Sequence, residues 1–190
     1  MNELIAPSPF CSNPLKIRAI VLGADPSNFS NKGERKILTH VFGIGGSDKR
    51  YFQGILKNIN AVGLSLEDIY VDNLIQDYLP SETSKNKEWG EIAKKNIPFC
   101  LARLDLIDKN RIIPVFITAQ VILKILLKDV SLLKKPKEYY SDISIIPIKS
   151  IDNKLLRPLI PLYRHRDYNL FKHSEYRNQI LKILENKNEW

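Results

Sequence analysis

One carboxylate in this sequence sits where water activation is feasible. Asp25 lies in Gly23-Ala24-Asp25-Pro26-Ser27, just beyond an apolar run, Ile17 to Leu22, that reads as a buried strand. Gly23 frees the backbone on one side, and the fixed φ of Pro26 stiffens the other. A carboxylate held on a stiff turn at a strand's carboxyl end can orient water and offset a developing positive charge. The plainer reading of Asp25 is an Asx-type turn, its side chain bonded to nearby backbone. Three further groups follow: Phe42 in Val41-Phe42-Gly43-Ile44-Gly45-Gly46, Asn73 in Val71-Asp72-Asn73-Leu74, and His165 in Arg164-His165-Arg166-Asp167-Tyr168. Phe42 can stack on a base, and Asn73 can read its edge with paired donor and acceptor. His165 can hydrogen-bond an oxygen that gains negative charge, while Arg164 and Arg166 hold flanking phosphates. Hydrolysis of an N-glycosidic bond needs these services, because the sugar becomes cation-like and the base departs as an anion. Each residue has a structural alternative: loop packing for Phe42, strand-end bonding for Asn73, and plain solvation for His165, His40 and His173.

These groups need elements to position them. Pro7, Pro9 and Pro14 make residues 1–15 an irregular lead-in. After the first strand, residues 31–47 form a long, partly apolar loop, of a length that usually carries function. Ser47-Asp48 caps a helix over 49–62, which Gly63 ends. A second strand covers 69–75. The polar stretch 80–86 leads into a helix to about 107, with Pro98 marking a break or a second start. A third strand spans 112–117, and Thr118 caps the helix that follows, to about 128. Residues 131–141 read as a basic loop, in which Tyr139 and Tyr140 either contact nucleic acid or are solvated. A short edge strand is expected over 143–148, the last strand over 155–163 and a final helix over 170–184. This alternation predicts one domain over residues 1–190: a three-layer α/β/α fold around a mostly parallel sheet of four to five strands. Asp25, Asn73, Thr118 and His165 then collect at one sheet edge.

Composition narrows the classes. Lys and Arg number 29 against 21 Asp and Glu, a formal charge of +8 that suits a polyanionic partner, nucleic acid first. Two cysteines, Cys11 and Cys100, build neither a disulfide framework nor a metal-ligand cluster, so no metal and no cofactor are expected, and a reducing cytoplasm is the default compartment. The start lacks the pattern of a secretory signal, and no apolar run approaches the ~20 residues that span a bilayer. A soluble monomer without membrane contact is the expectation.

The order Gly23-Ala24-Asp25-Pro26, then Phe42 among glycines, then Val71-Asp72-Asn73-Leu74, then a late strand leading to His165, resembles the uracil-DNA glycosylase superfamily. The resemblance covers the layout of residues 17–185. It implies that Asp25 positions the water and His165 sits over the base oxygen. It also implies that Phe42 stacks on the base, Asn73 reads its edge, and Gly23, Ala24, Pro26 and Ser27 shape the pocket. DNA, damaged or single-stranded, is the implied partner, contacted by Arg164, Arg166 and Tyr168. Two departures stand out. The family's late His-Pro-Ser is here His165-Arg166-Asp167, so Tyr168 or Leu170 would have to wedge into a duplex. Ser27 stands where the uracil-selective branch has a tyrosine, which leaves room at position five of the base unless Phe29, Tyr51 or Tyr78 fills it. The alternatives are a catalytically silent nucleic-acid- or nucleobase-binding protein on the same fold, and a nucleoside or nucleotide hydrolase.

Overall fold

The computed structural model describes residues 4–30, 33–46 and 50–186. Strands β1 (Phe10–Cys11), β2 (Ala19–Gly23), β3 (Ile69–Asn73), β4 (Val115–Ile117) and β5 (Leu159–Pro161) form one sheet in the order β1-β3-β2-β4-β5. β2 to β5 are parallel, and β1 adds antiparallel to β3. The central strands are apolar along their length because helices cover both faces. The helices are α1 (Arg50–Ala61), α2 (Trp89–Ile107), α3 (Gln120–Leu126), α4 (Pro136–Ser141) and α5 (Ser174–Glu185). This is the expected three-layer α/β/α architecture.

Connectivity explains the layers. The β2–α1–β3 crossover moves one way across the sheet, and the β3–α2–β4 crossover moves the other way. Right-handed connections therefore put α1 and α2 on opposite faces. α2 packs with α3, whereas α1 and α5 both pack on the turn Leu170–Lys172. Ile55 and Ile59 of α1, Ala93, Ile97, Cys100 and Leu104 of α2, and Ile180 and Ile183 of α5 fill the space against the sheet. Burying each larger side chain stabilises the fold by roughly 1.5–3 kcal/mol. Register aligns Gly23 with Asn73, Leu22 with Ile117, and Ile117 with Pro161, so the four parallel strands end level. The strand order reverses between β2 and β4, which makes a crevice beyond their carboxyl ends.

Several elements differ from the sequence reading. The lead-in contains β1, a strand too short to show periodicity. The Ser47-Asp48 cap lies outside the described residues. α2 runs unbroken through Pro98. Pro98 and Lys94, whose carbonyl loses its helical partner, are both exposed, so water takes over, while the buried stripe of α2 holds both halves to the core. The helix after β4 is capped at Ala119, because Thr118 instead donates its hydroxyl to the Leu22 carbonyl at 2.9 Å. Residues 131–141 are not a solvated loop: α4 buries Tyr139 and Tyr140. At 143–148 there is a 3-10 turn (Ile143–Ile145) and one bridge from Ile148 to Leu159. At the amino-terminal edge of the sheet, the fully buried Arg157 guanidinium donates to Asp105 Oδ1 (2.7 Å), Asp108 Oδ2 (3.2 Å) and the carbonyls of Leu155 and Asp108.

Candidate functional site

The crevice between β2 and β4 holds a cavity of about 450 Å³. The turn after β2 contributes Ala24, Asp25, Ser27 and Asn28. The loop before α1 contributes Phe42, and the segment after β3 contributes Glu82, Thr83 and Ser84. Thr118, Ala119 and Val121 follow from β4, and Arg164 from β5. The size suits a base or a small ring compound.

Asp25 is half-buried and tightly held. Its Oδ1 accepts the Ser27 N–H at 2.8 Å, which is the Asx-type turn. Its Oδ2 accepts the Thr83 hydroxyl at 2.5 Å and the Trp89 indole N–H at 2.8 Å. Asp25 therefore makes its local turn and also lines the cavity.

Phe42 stands on the short 3-10 turn Val41–Gly43 at φ 60°, ψ 11°. A bulky side chain in the left-handed region is strained, and such strain clusters at ligand sites. The ring packs against Phe52 at 5.6 Å between centroids and reaches over Gly23. A Cβ added at Gly23 would collide with Asn73 Oδ1 and stand 2.7 Å from Phe42 Cζ. Gly23 thus serves less as a hinge than as a gap, into which an aromatic ring and an amide converge. Asn73 is nearly fully buried at the end of β3. Its N–H goes to Asp72 Oδ1 at 2.7 Å, and its carbonyl accepts from Arg103 at 2.8 Å. Arg103 also donates to Asp72 Oδ2 at 2.8 Å. Burial raises the Asp72 pKa, and the Arg103 charge offsets part of that rise.

Ser27 and Pro26 are buried, and Ser27 Oγ accepts the Leu79 N–H at 2.6 Å. Phe29 and Tyr78 do not line the cavity. They lie beneath the Arg35 guanidinium, 5.3 and 5.6 Å from its carbon. The Tyr51 side chain is outside the described residues.

The late segment divides. Arg164 reaches the cavity wall, whereas His165 does not line it. The His165 side chain is 64% exposed, and its Nδ1 is 3.3 Å from Asp167 Oδ2. Arg166 is still more exposed. Tyr168 is half-buried, its ring 4.7 Å from that of Tyr140, and Leu170 is fully buried, so neither projects as a wedge. The remaining histidines are not simply solvated: His173 Nε2 is 2.8 Å from the Asp167 carbonyl, and His40 packs edge-on against Phe10. Among the described residues there is no group of three or more potential metal ligands.

Sequence reasoning passed over Thr83, Trp89 and Glu82. The available signal was topological: residues 80–86 follow a parallel strand, so they emerge at the same sheet edge as Asp25.

Fold and site define the class as an open α/β protein with a strand-end cavity built around a hydrogen-bonded aspartate. No known protein-family model matches the chain, and no curated protein matches it significantly.

Proposed function

We propose that this protein hydrolyses the N-glycosidic bond of uracil or another damaged base in DNA. The observation that carries the reading is that Phe42 and Asp25 line one cavity, while the Asn73 amide, which does not itself line it, meets the Phe42 ring over Gly23. A base extruded from its strand would stack on Phe42 and present its edge to Asn73. The C1′–N bond breaks with its electron pair leaving on the base. Water bonds to C1′, its proton passes to Asp25, and the carboxylate offsets the cationic sugar meanwhile. Arg164 supplies positive charge on the cavity wall for the departing base. The formal charge of +8 suits a DNA partner.

The second reading is a nucleic-acid- or nucleobase-binding protein without catalysis. His165 on an exposed turn, away from the cavity wall, favours it. A panel of oligonucleotides carrying uracil, thymine, 5-hydroxymethyluracil and hypoxanthine, assayed for free base and abasic sites, separates the two. Base release supports excision, whereas tight binding without release supports the silent binder. Turnover of free nucleosides alone would indicate a small-molecule hydrolase.

A further inference from the structure

Each carboxylate oxygen can accept two hydrogen bonds in its plane. Asp25 Oδ2 has both positions taken, by the Thr83 hydroxyl (2.5 Å) and the Trp89 indole N–H (2.8 Å). Among the described residues, Oδ1 has one taken, by the Ser27 N–H. The donors come from 58 and 64 positions along the chain, one in the segment before α2 and one at its first residue. Trp89 is buried, so its indole has no water to turn to, and the hydrogen bond fixes the ring and the carboxylate together. Among the described residues, the other charged groups on the cavity wall are Glu82, itself 2.9 Å from Lys85 Nζ, and Arg164.

We propose that Thr83 and Trp89 are positioning residues, which fill Oδ2 of Asp25 and leave Oδ1 as the oxygen that takes the attacking water. This rests on the base-excision reading. Without the two donors the carboxylate can rotate about χ2 and present either oxygen, so fewer encounters have water in line with C1′. A misplacement of about 1 Å at a reacting group can cost on the order of 100-fold in rate.

Single-turnover kinetics on a uracil-containing single-stranded oligonucleotide test this with Thr83→Val, Thr83→Ser, Trp89→Phe, Asp25→Asn and the Asp25→Asn/Thr83→Val double variant. Thr83→Val and Trp89→Phe each lower the maximal rate about 10- to 100-fold, with half-saturation changed less than about twofold. Thr83→Ser restores most of the loss. Thr83→Val costs nothing further once Asp25 is Asn, because its effect passes through that carboxylate. Weakened binding at an unchanged maximal rate, or losses that multiply in the double variant, would overturn the proposal. The Trp89 indole N–H resonance, assigned by its loss in Trp89→Phe, gives a readout free of activity and moves upfield in Asp25→Ala. If the wild type releases no base, the excision reading fails. If the indole resonance ignores Asp25→Ala, the clamp itself fails.

Discussion

At the scale of single residues, the site depends on one gap and one carboxylate. Gly23 is required for what approaches it, not for its own backbone angles, since Asn73 Oδ1 and the Phe42 ring occupy the space of a side chain. Gly23→Ala should displace both groups. On the base-excision reading we expect a fall in excision of at least about tenfold, with a stability loss of about 1–3 kcal/mol from overpacking. Kinetics paired with urea unfolding will check this, and an alanine accepted without loss of either would show that the convergence is dispensable. Asp25→Asn keeps the shape of the side chain but removes its charge and basicity. On the same reading it should lower the rate by ~10²–10⁴ while leaving oligonucleotide binding nearly intact. An unchanged single-turnover rate would remove Asp25 from the chemistry.

At the scale of elements, the end of β3 is set by an ion pair reaching across from α2. Asp72 is fully buried, and Arg103 satisfies it while also holding the Asn73 carbonyl. Arg103→Met would leave that carboxylate buried without its partner, a loss of ~3–5 kcal/mol at neutral pH. The sign of the pH dependence follows from the raised Asp72 pKa. A carboxyl that holds its proton more tightly in the folded state opposes folding more as pH rises through its folded value, and the cost fades as pH falls. The stability gap between Arg103→Met and wild type should therefore narrow on acidification from neutral pH. Denaturant unfolding at a series of pH values measures it, and a gap that widens in acid would contradict the assignment. The loop bearing Phe42 is a different kind of element: Gly43 (φ 67°) and Gly45 (φ 81°) supply left-handed positions beside the strained ring.

At the scale of the whole molecule, charge and buried phenols govern behaviour in solution. If DNA is the partner, its affinity should fall steeply with salt as counterions return to the phosphates. Arg164→Ala with Arg166→Ala should flatten that slope, and salt-independent binding would point to an uncharged ligand. The tyrosines give a second global test. Tyr70, Tyr139, Tyr140, Tyr163 and Tyr176 all have pKa values raised by burial. Tyr140 stacks on Tyr176 at 4.3 Å, and both hydroxyls donate to the Pro161 carbonyl. The folded state keeps these phenolic protons at pH values where unfolded tyrosine, with a pKa near ~10, has lost them. Stability must therefore decline as pH rises above ~10, with tyrosinate absorbance appearing together with unfolding. Phenols that ionise well before the fold is lost would refute this.

The sequence by itself determined the four parallel strands, the layer order and the turn that carries Asp25, because an apolar run ended by Gly and Pro is a local signal that packing only reinforces. It also ordered Asp25, Phe42 and Asn73 along the chain. Only the tertiary structure decided which groups meet. Arg164 and His165 are neighbours with equal local claims, yet side chains on successive residues leave the backbone in different directions, and one reaches the cavity wall while the other points to solvent. Tyr139 and Tyr140 look like a basic surface loop by composition, but the short helix α4 buries both and sets Tyr140 against the end of β5. Pro98 carries a strong local stop signal that the packing of α2 overrides. Thr83 and Trp89 had no motif to mark them. Their bond to Asp25 exists because parallel strands of level register send every following loop to the same edge, a property of the sheet that no stretch of residues contains alone.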